Sequence, residues 1–184
     1  MIDYGKIAKS IAYYQALGYE YVDAPWLVSK EAMSHTTPSW AKRFQTFNDH
    51  VFLGELVASG EQSFLYIREN LKERGKYVCA TPCFRAEPNP DELHRREFFK
   101  VELIHVQPKM PLYSTEKLLT DAWGFFKQYW PTDVVKTEIG KDLFIGDVEV
   151  GSYGFREIEG FNWIYGTGCA EPRLTQALQR VKKK

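Results

Sequence analysis

Within Ile2 to Leu17 the apolar residues Ile7, Ile11 and Tyr14 recur at helical spacing, with Tyr4 and Ala8 beside them. The segment reads as a helix, and Gly18 stands where a left-handed stop is expected. Tyr19 to Ala24 reads as a short strand ended by Pro25. Ser34 to Trp40 is polar and turn-rich and reads as a loop. Ser59 to Arg74 predicts a second helix. Ser59 with Gln62 three residues on has the form of a capping box, and Gly75 follows the last turn. Lys76 to Arg85 and Glu97 to Val106 are strand candidates on either side of Pro88-Asn89-Pro90-Asp91, which must turn. Together they predict an antiparallel hairpin with a long, charged tip. Ser114 to Tyr129 predicts a third helix capped by Ser114, with Pro131 beyond its end. Asp133 to Glu138 and Asp142 to Val150 predict two further strands around Gly140. Gly166-Thr167-Gly168-Cys169-Ala170 reads as a Gly-rich turn before a final helix from Pro172. Proline suits a first helical position because its missing N–H has no partner there. Long βαβ alternation is absent, so the expected fold is α+β, a mostly antiparallel sheet flanked by helices.

Composition narrows the class. The 184 residues fit a single domain spanning 1–184 with one sizeable core. Lys+Arg and Asp+Glu are both 24, so the formal net charge is zero, which argues against nucleic-acid binding through a strongly basic surface. No apolar run approaches the ~20 residues of a membrane span, and no membrane partner is expected. The start, Met-Ile-Asp-Tyr-Gly-Lys, lacks the form of a signal peptide. Cys79, Cys83 and Cys169 form no CxxC pair, so neither a disulfide framework nor a zinc knuckle is indicated, and a cytoplasmic setting is expected.

Three segments could carry chemistry. In the hairpin, Arg85 and Glu87 are two apart and would share a strand face, as would Phe98 and Glu102 on the return strand. That face offers a planar cation that can bond two phosphate oxygens, two carboxylates and a ring on which a base can stack. A polar face with cross-strand ion pairs is the plainer alternative. Asp142, Glu149 and Ser152 supply the oxygen ligands that a hard cation such as Mg²⁺ prefers. Asp142 and Glu149 are an odd number apart, so one unbroken strand would oppose them unless Gly146 marks a bulge. Gly166-x-Gly168-x-Ala170-x-x-Arg173 would let backbone approach a ligand and would place Arg173 at a helix start.

Taken in order, these segments resemble the catalytic core of the class II aminoacyl-tRNA synthetases. Gly18-Tyr19 through Pro25 is similar to that family's first motif, a helix and strand ending in proline at a dimer interface. Phe84-Arg85-Ala86-Glu87, the loop and His94-x-x-x-Phe98 resemble the second motif, and Gly168-x-Ala170-x-x-Arg173 the third. Ala170 stands where glycine is usual, and Pro172 where a carboxylate neighbour is more typical. Asp142-x6-Glu149-x2-Ser152-x3-Arg156 resembles the metal-and-substrate segment of the aspartate and asparagine branch.

The resemblance implies roles residue by residue. Arg85 would bind the α-phosphate of ATP and His94 the terminal phosphates. Glu87 would read the adenine amino group, and Phe98 and Arg173 would sandwich the ring. Asp142, Glu149 and Ser152 would serve the Mg²⁺–ATP complex. Ser59, Glu61 and Gln62 would hold the amino acid's ammonium group, with Gln62 the better match, and Arg156 would face its side chain. The implied reaction is activation of aspartate or asparagine as an aminoacyl-adenylate by a homodimer, with Arg85 and Arg173 stabilising the transition state. No segment resembles an anticodon-binding domain, which leads to the expectation of an acceptor other than an ordinary tRNA. A non-catalytic paralogue that binds nucleotide, amino acid or tRNA is the rival reading. Plainer alternatives stand beside single residues: Ser59 and Gln62 as a helix cap, His94 as a solvated loop residue, Arg156 paired with Glu157 or Glu159, Phe98 or Phe99 as core, and Lys182 to Lys184 as a solvated tail.

Overall fold

The fold is that of a computed structural model, described here for residues 1–107 and 112–183. In chain order the elements are α1 (Tyr4–Ala16), β1 (Glu20–Tyr21), β2 (Leu27–Val28), α2 (Lys30–Ser34), β3 (Gln45–Asn48), β4 (Val51–Leu56), α3 (Gly60–Tyr66), β5 (Lys76–Phe84), β6 (Glu97–Gln107), α4 (Leu112–Phe126), β7 (Asp133–Lys136), β8 (Gly140–Ile145), β9 (Val148–Ile158), β10 (Phe161–Glu171) and α5 (Arg173–Val181). Among the described residues, seven strands form one sheet in the order β1-β5-β6-β10-β9-β8-β7. Only β1 runs parallel to its neighbour; the other pairs are antiparallel. A smaller sheet, β2-β4-β3, stands beside it. The α+β expectation holds.

Side chains alternate across a strand, and the two faces are covered by different helices. Val78, Val101, Leu103 and Ile164 pack with Ile7 and Tyr14 of α1, with Leu118, Ala122 and Phe125 of α4, and with Leu174 of α5. Tyr77, Cys79, Ile104 and Trp163 point the other way and pack with Phe64 and Leu65 of α3. The short α3 covers only part of its face, which leaves room for a site.

Several boundaries differ from expectation. The second helix stops at Tyr66 and is followed by a 3-10 turn at Arg68–Asn70, not by a run to Arg74. Arg74 takes a left-handed φ of 63° just ahead of Gly75. α4 begins at Leu112, so the expected cap at Ser114 lies inside the helix. The single strand expected over Asp142 to Val150 is a hairpin: Gly146, with φ 61°, sits in its turn, while the bulge falls between Leu143 and Phe144. Pro172 is the N-cap of α5, one residue ahead of the expected first turn. Of the terminal lysines, Lys184 lies outside the described residues.

The largest correction concerns Gly166 to Ala170. The segment is no turn but the interior of β10, the central strand, buried between β6 and β9. Its small residues answer close packing. A Cβ on Gly166 would come within 2.3 Å of Leu118 and 2.5 Å of Tyr153. At Gly168 it would meet Tyr14 at 2.8 Å, and the Tyr14 hydroxyl donates to the Gly168 carbonyl at 3.0 Å. Gly166→Ala is therefore expected to lower stability by about 1–3 kcal/mol through overpacking, read as a drop in the denaturation midpoint.

A buried polar chain ties this core together. The Tyr19 hydroxyl donates to Asp121 at 3.1 Å and lies 2.9 Å from His105 Nε2, so the imidazole N–H donates to it. Lys117 pairs with Asp121 from the rim. Burial, helped by Lys76 and Lys117, lowers the His105 pKa from 6.5 to about 3. The folded protein thus resists protonation that the unfolded chain accepts. This contribution is complete above the unfolded value and is lost as pH falls from 6.5 toward 3, at about 1.4 kcal/mol per pH unit. His105→Gln keeps a donor for Tyr19 and removes the titration. Between pH 7 and pH 5 the variant should lose ~2 kcal/mol less stability than the parent protein in denaturant titrations.

Candidate active site

Strand alternation gathers the site. On the α3 side of the sheet, Cys83 pairs with Phe98 and Cys79 with Glu102, while Trp163 pairs with both Val106 and Arg156. Across the next pair Asp142 faces Ser152. The same parity then aligns Arg85, Phe98, Lys100, Glu102, Thr167, Ser152, Asp142 and Arg156. Two cavities open on this face, of about 880 Å³ and about 380 Å³. Arg85, Glu87, Lys100 and Ser152 line both.

The smaller cavity holds the second- and third-motif residues. Phe98, His94, Glu149 and Arg173 line it together with Arg85 and Glu87. The Arg85 guanidinium lies over the Phe98 ring, 4.9 Å from its centroid, and Arg85 Nε donates to the Ala58 carbonyl at 3.2 Å. One ring face is thus covered by Arg85. Arg173 comes from the start of α5, donates to the Leu93 carbonyl at 3.3 Å and pairs with Glu149 at 3.5 Å. Phe99 turns to the opposite side and meets Tyr4 edge-on at 5.8 Å. Glu87 lies beyond the end of β5, in the loop, where Arg96 Nε donates to its carbonyl at 3.0 Å. His94 is exposed, with Nδ1 3.1 Å from Asp91. That side-chain bond, with the backbone N–H groups of His94 and Leu93, holds the Asp91 carboxyl down at about 2.

Ser152 and Glu149 of β9 line this cavity, and Asp142 of β8 pairs with Ser152 beside it. The hairpin, not a bulge at Gly146, brings the two acids to neighbouring strands. Among the described residues no group of three or more His, Cys, Asp and Glu is close enough to hold a metal alone. Two acids and a hydroxyl do fit Mg²⁺, which keeps several waters and takes other ligands from a bound phosphate.

The larger cavity holds the residues expected to meet the amino acid. The capping box of α3 forms: Gln62 Oε1 accepts from Ser59 N at 3.1 Å and Ala58 N at 2.7 Å, while its amide nitrogen donates to Thr37 at 2.8 Å. Both ends of Gln62 are thus committed to the fold. Glu61, one residue earlier, is buried, accepts from Trp163 Nε1 at 2.7 Å and pairs with Arg156 at 3.5 Å. Burial pushes its carboxyl up, and Arg156 pulls it back. Arg156 also stacks on Tyr165 at 4.6 Å. It pairs with neither of the nearby glutamates; Glu159 meets Arg68 instead.

Sequence reasoning missed three contributors. Lys100 pairs with buried Glu102 at 2.8 Å and reaches Ser59 Oγ at 3.3 Å. Its spacing of two from Phe98 and from Glu102 was the available signal. Trp163 and Tyr165 were hidden because no element is expected from sequence between Val150 and Gly166 and the Gly-rich end of their strand reads as a turn.

Comparison with known proteins places this geometry. No family model matches the sequence, and no curated protein matches it. The chain is similar in structure to pyrrolysyl-tRNA synthetase from Desulfitobacterium hafniense, with a TM-score of 0.72 and 15% identity, covering 98% of this chain and 69% of that one. It is also similar to cytoplasmic serine-tRNA ligase from Naegleria fowleri, solved with AMP, with a TM-score of 0.71 and 15% identity, covering 93% of this chain and 46% of that one. The chain therefore has the fold of a class II aminoacyl-tRNA synthetase catalytic domain.

Proposed function

We propose that this protein is an ATP-dependent ligase that activates a small amino acid, aspartate or asparagine, as an aminoacyl-adenylate. The observation that carries this reading is the open cavity beside Phe98, lined by Arg85, Glu87, His94, Glu149 and Arg173, and joined through shared walls to the chamber holding Ser59, Glu61 and Arg156. Two adjoining compartments, one rich in phosphate-binding side chains and one with a buried carboxylate for an ammonium group, suit a two-substrate condensation. A paralogue that had given up nucleotide binding would have no need of an open cavity beside Phe98, and about 380 Å³ remains there.

The substrate carboxylate is already a nucleophile at neutral pH, so the reaction needs no general base. It attacks the α-phosphorus of ATP; the bond to the β-phosphate oxygen breaks, and pyrophosphate leaves. The work of the protein is alignment and stabilisation of the charge that builds on the phosphorus oxygens. Arg85 and Lys100 stand where the compartments meet, and Arg173 closes the nucleotide side. Asp142, Glu149 and Ser152 would hold Mg²⁺, which would neutralise polyphosphate charge. Glu149 would then exchange its bond with Arg173 for the metal. The same reading includes a two-fold dimer through α1 and β1, where Tyr4, Leu17, Tyr21 and Trp26 are exposed. The acceptor of the activated amino acid lies outside this proposal. Among the described residues, no helix is long and apolar enough to cross a membrane.

Exchange of labelled pyrophosphate into ATP should depend on one amino acid and should vanish in Arg85→Ala. Absence of exchange with all twenty amino acids would sink the activation reading. Arg173→Ala should cut the exchange rate on the order of 10²-fold or more while leaving the folded structure intact by circular dichroism.

A further inference from the structure

Glu61, Arg156 and Lys100 line the larger cavity, and Glu102 is buried against Lys100. Glu61 is 5% exposed and pairs with Arg156; Glu102 is 1% exposed and pairs with Lys100. The pairs also act on each other, since both Glu102 and Lys100 shift the charge state of Glu61, in opposite directions. Hydrogen bonds complete the set: Trp163 donates to Glu61, and the Ser59 hydroxyl donates to Glu102. Their formal charges sum to zero.

Among the described residues, the rest of the cavity wall offers no spare buried cation. Arg43 is half-buried and pairs with Glu55 at 3.2 Å. Lys42, Arg85 and Arg96 also line the chamber but are exposed. Asp142 acts on Tyr165, and so adds negative charge on the Arg156 side.

A cation already matched by a carboxylate attracts a second anion weakly, and an extra carboxylate loses its hydration on entry. An amino acid with an uncharged side chain brings no net charge. Its ammonium can meet Glu61, and its carboxylate can meet Arg85, which lines the chamber and has no carboxylate partner among the described residues.

We propose that the amino-acid compartment selects an uncharged side chain and discriminates against aspartate, because Glu61 already neutralises Arg156. The proposal rests on the amino-acid activation reading and narrows it from two candidates toward asparagine and other neutral side chains.

Its test is binding rather than turnover. Non-hydrolysable aminoacyl-sulfamoyl adenosines carrying aspartyl, asparaginyl or alanyl groups would be titrated against the full chain by calorimetry. The asparaginyl or alanyl compound should bind at least tenfold more tightly than the aspartyl one. Glu61→Gln keeps the acceptor for Trp163 and frees Arg156; it should narrow or reverse that preference by at least tenfold. An aspartyl compound that binds as tightly as both neutral ones overturns the proposal, and so does binding of none of the three. The wild-type comparison stands even if the variant does not fold. Tight neutral binding without pyrophosphate exchange would leave this proposal standing and remove the activation reading alone.

Discussion

Everything at the candidate site depends on the register of β10 between β6 and β9. Asn162 faces Gln107 on one side and Glu157 on the other, and the alternation that follows is shared by both neighbours as far as Gly166, with a register shift against β6 between Thr167 and Cys169. A slip of one residue would carry Trp163 and Tyr165 into the α1–α4 core and bring Ile164 into the cavity. The small residues Gly166 and Gly168 hold this register by admitting Leu118, Tyr153 and Tyr14 against the strand. Packing on one face of the sheet therefore sets which side chains can meet on the other.

Much of this was legible. The β5–β6 hairpin, the α1 helix with its Gly18 stop and the shared face of Arg85 and Phe98 all follow from period and turn chemistry, which act over a few residues. Gly166 to Ala170 misled because glycine is scarce in strand interiors unless another group needs the space. That need comes from Leu118 and Tyr153, distant in sequence, so no local pattern reports it. The overlong second helix failed similarly. Its C-terminal half has apolar residues in suitable places, but full burial ends with Leu65, and Leu71 reaches the same core cluster from beyond the 3-10 turn rather than from a continued helix.

The site residues divide along the same line. Their presence on one face could be read from strand parity. Their partners could not. Gln62 and Glu61 are adjacent in sequence, yet the first is absorbed by backbone N–H groups and Thr37, while the second reaches Trp163 and Arg156 across the sheet. Which partners each neighbour meets depends on how α3 lies across β2, β5 and β6. The fold shared with class II synthetases supplies the frame, and the proposed chemistry draws on side chains whose pairings belong to this chain.

The contact between Arg85 and Phe98 has a consequence for how a nucleotide would enter. An unoccupied stacking platform would leave an aromatic face in water; here the guanidinium shields it. A base stacking on the face that Arg85 covers would displace a partner that belongs to the same chain, so binding there would be an exchange rather than a filling. The displaced cation–π contact costs on the order of 0.5–1 kcal/mol at an exposed site. The freed guanidinium is then available to the phosphates of the molecule that displaced it. Base and phosphate recognition would thereby be coupled: a ligand carrying only one of the two would forgo the return for breaking the contact. Under the proposed function, such a resting arrangement would favour whole nucleotides over free bases or free polyphosphates before any reaction begins.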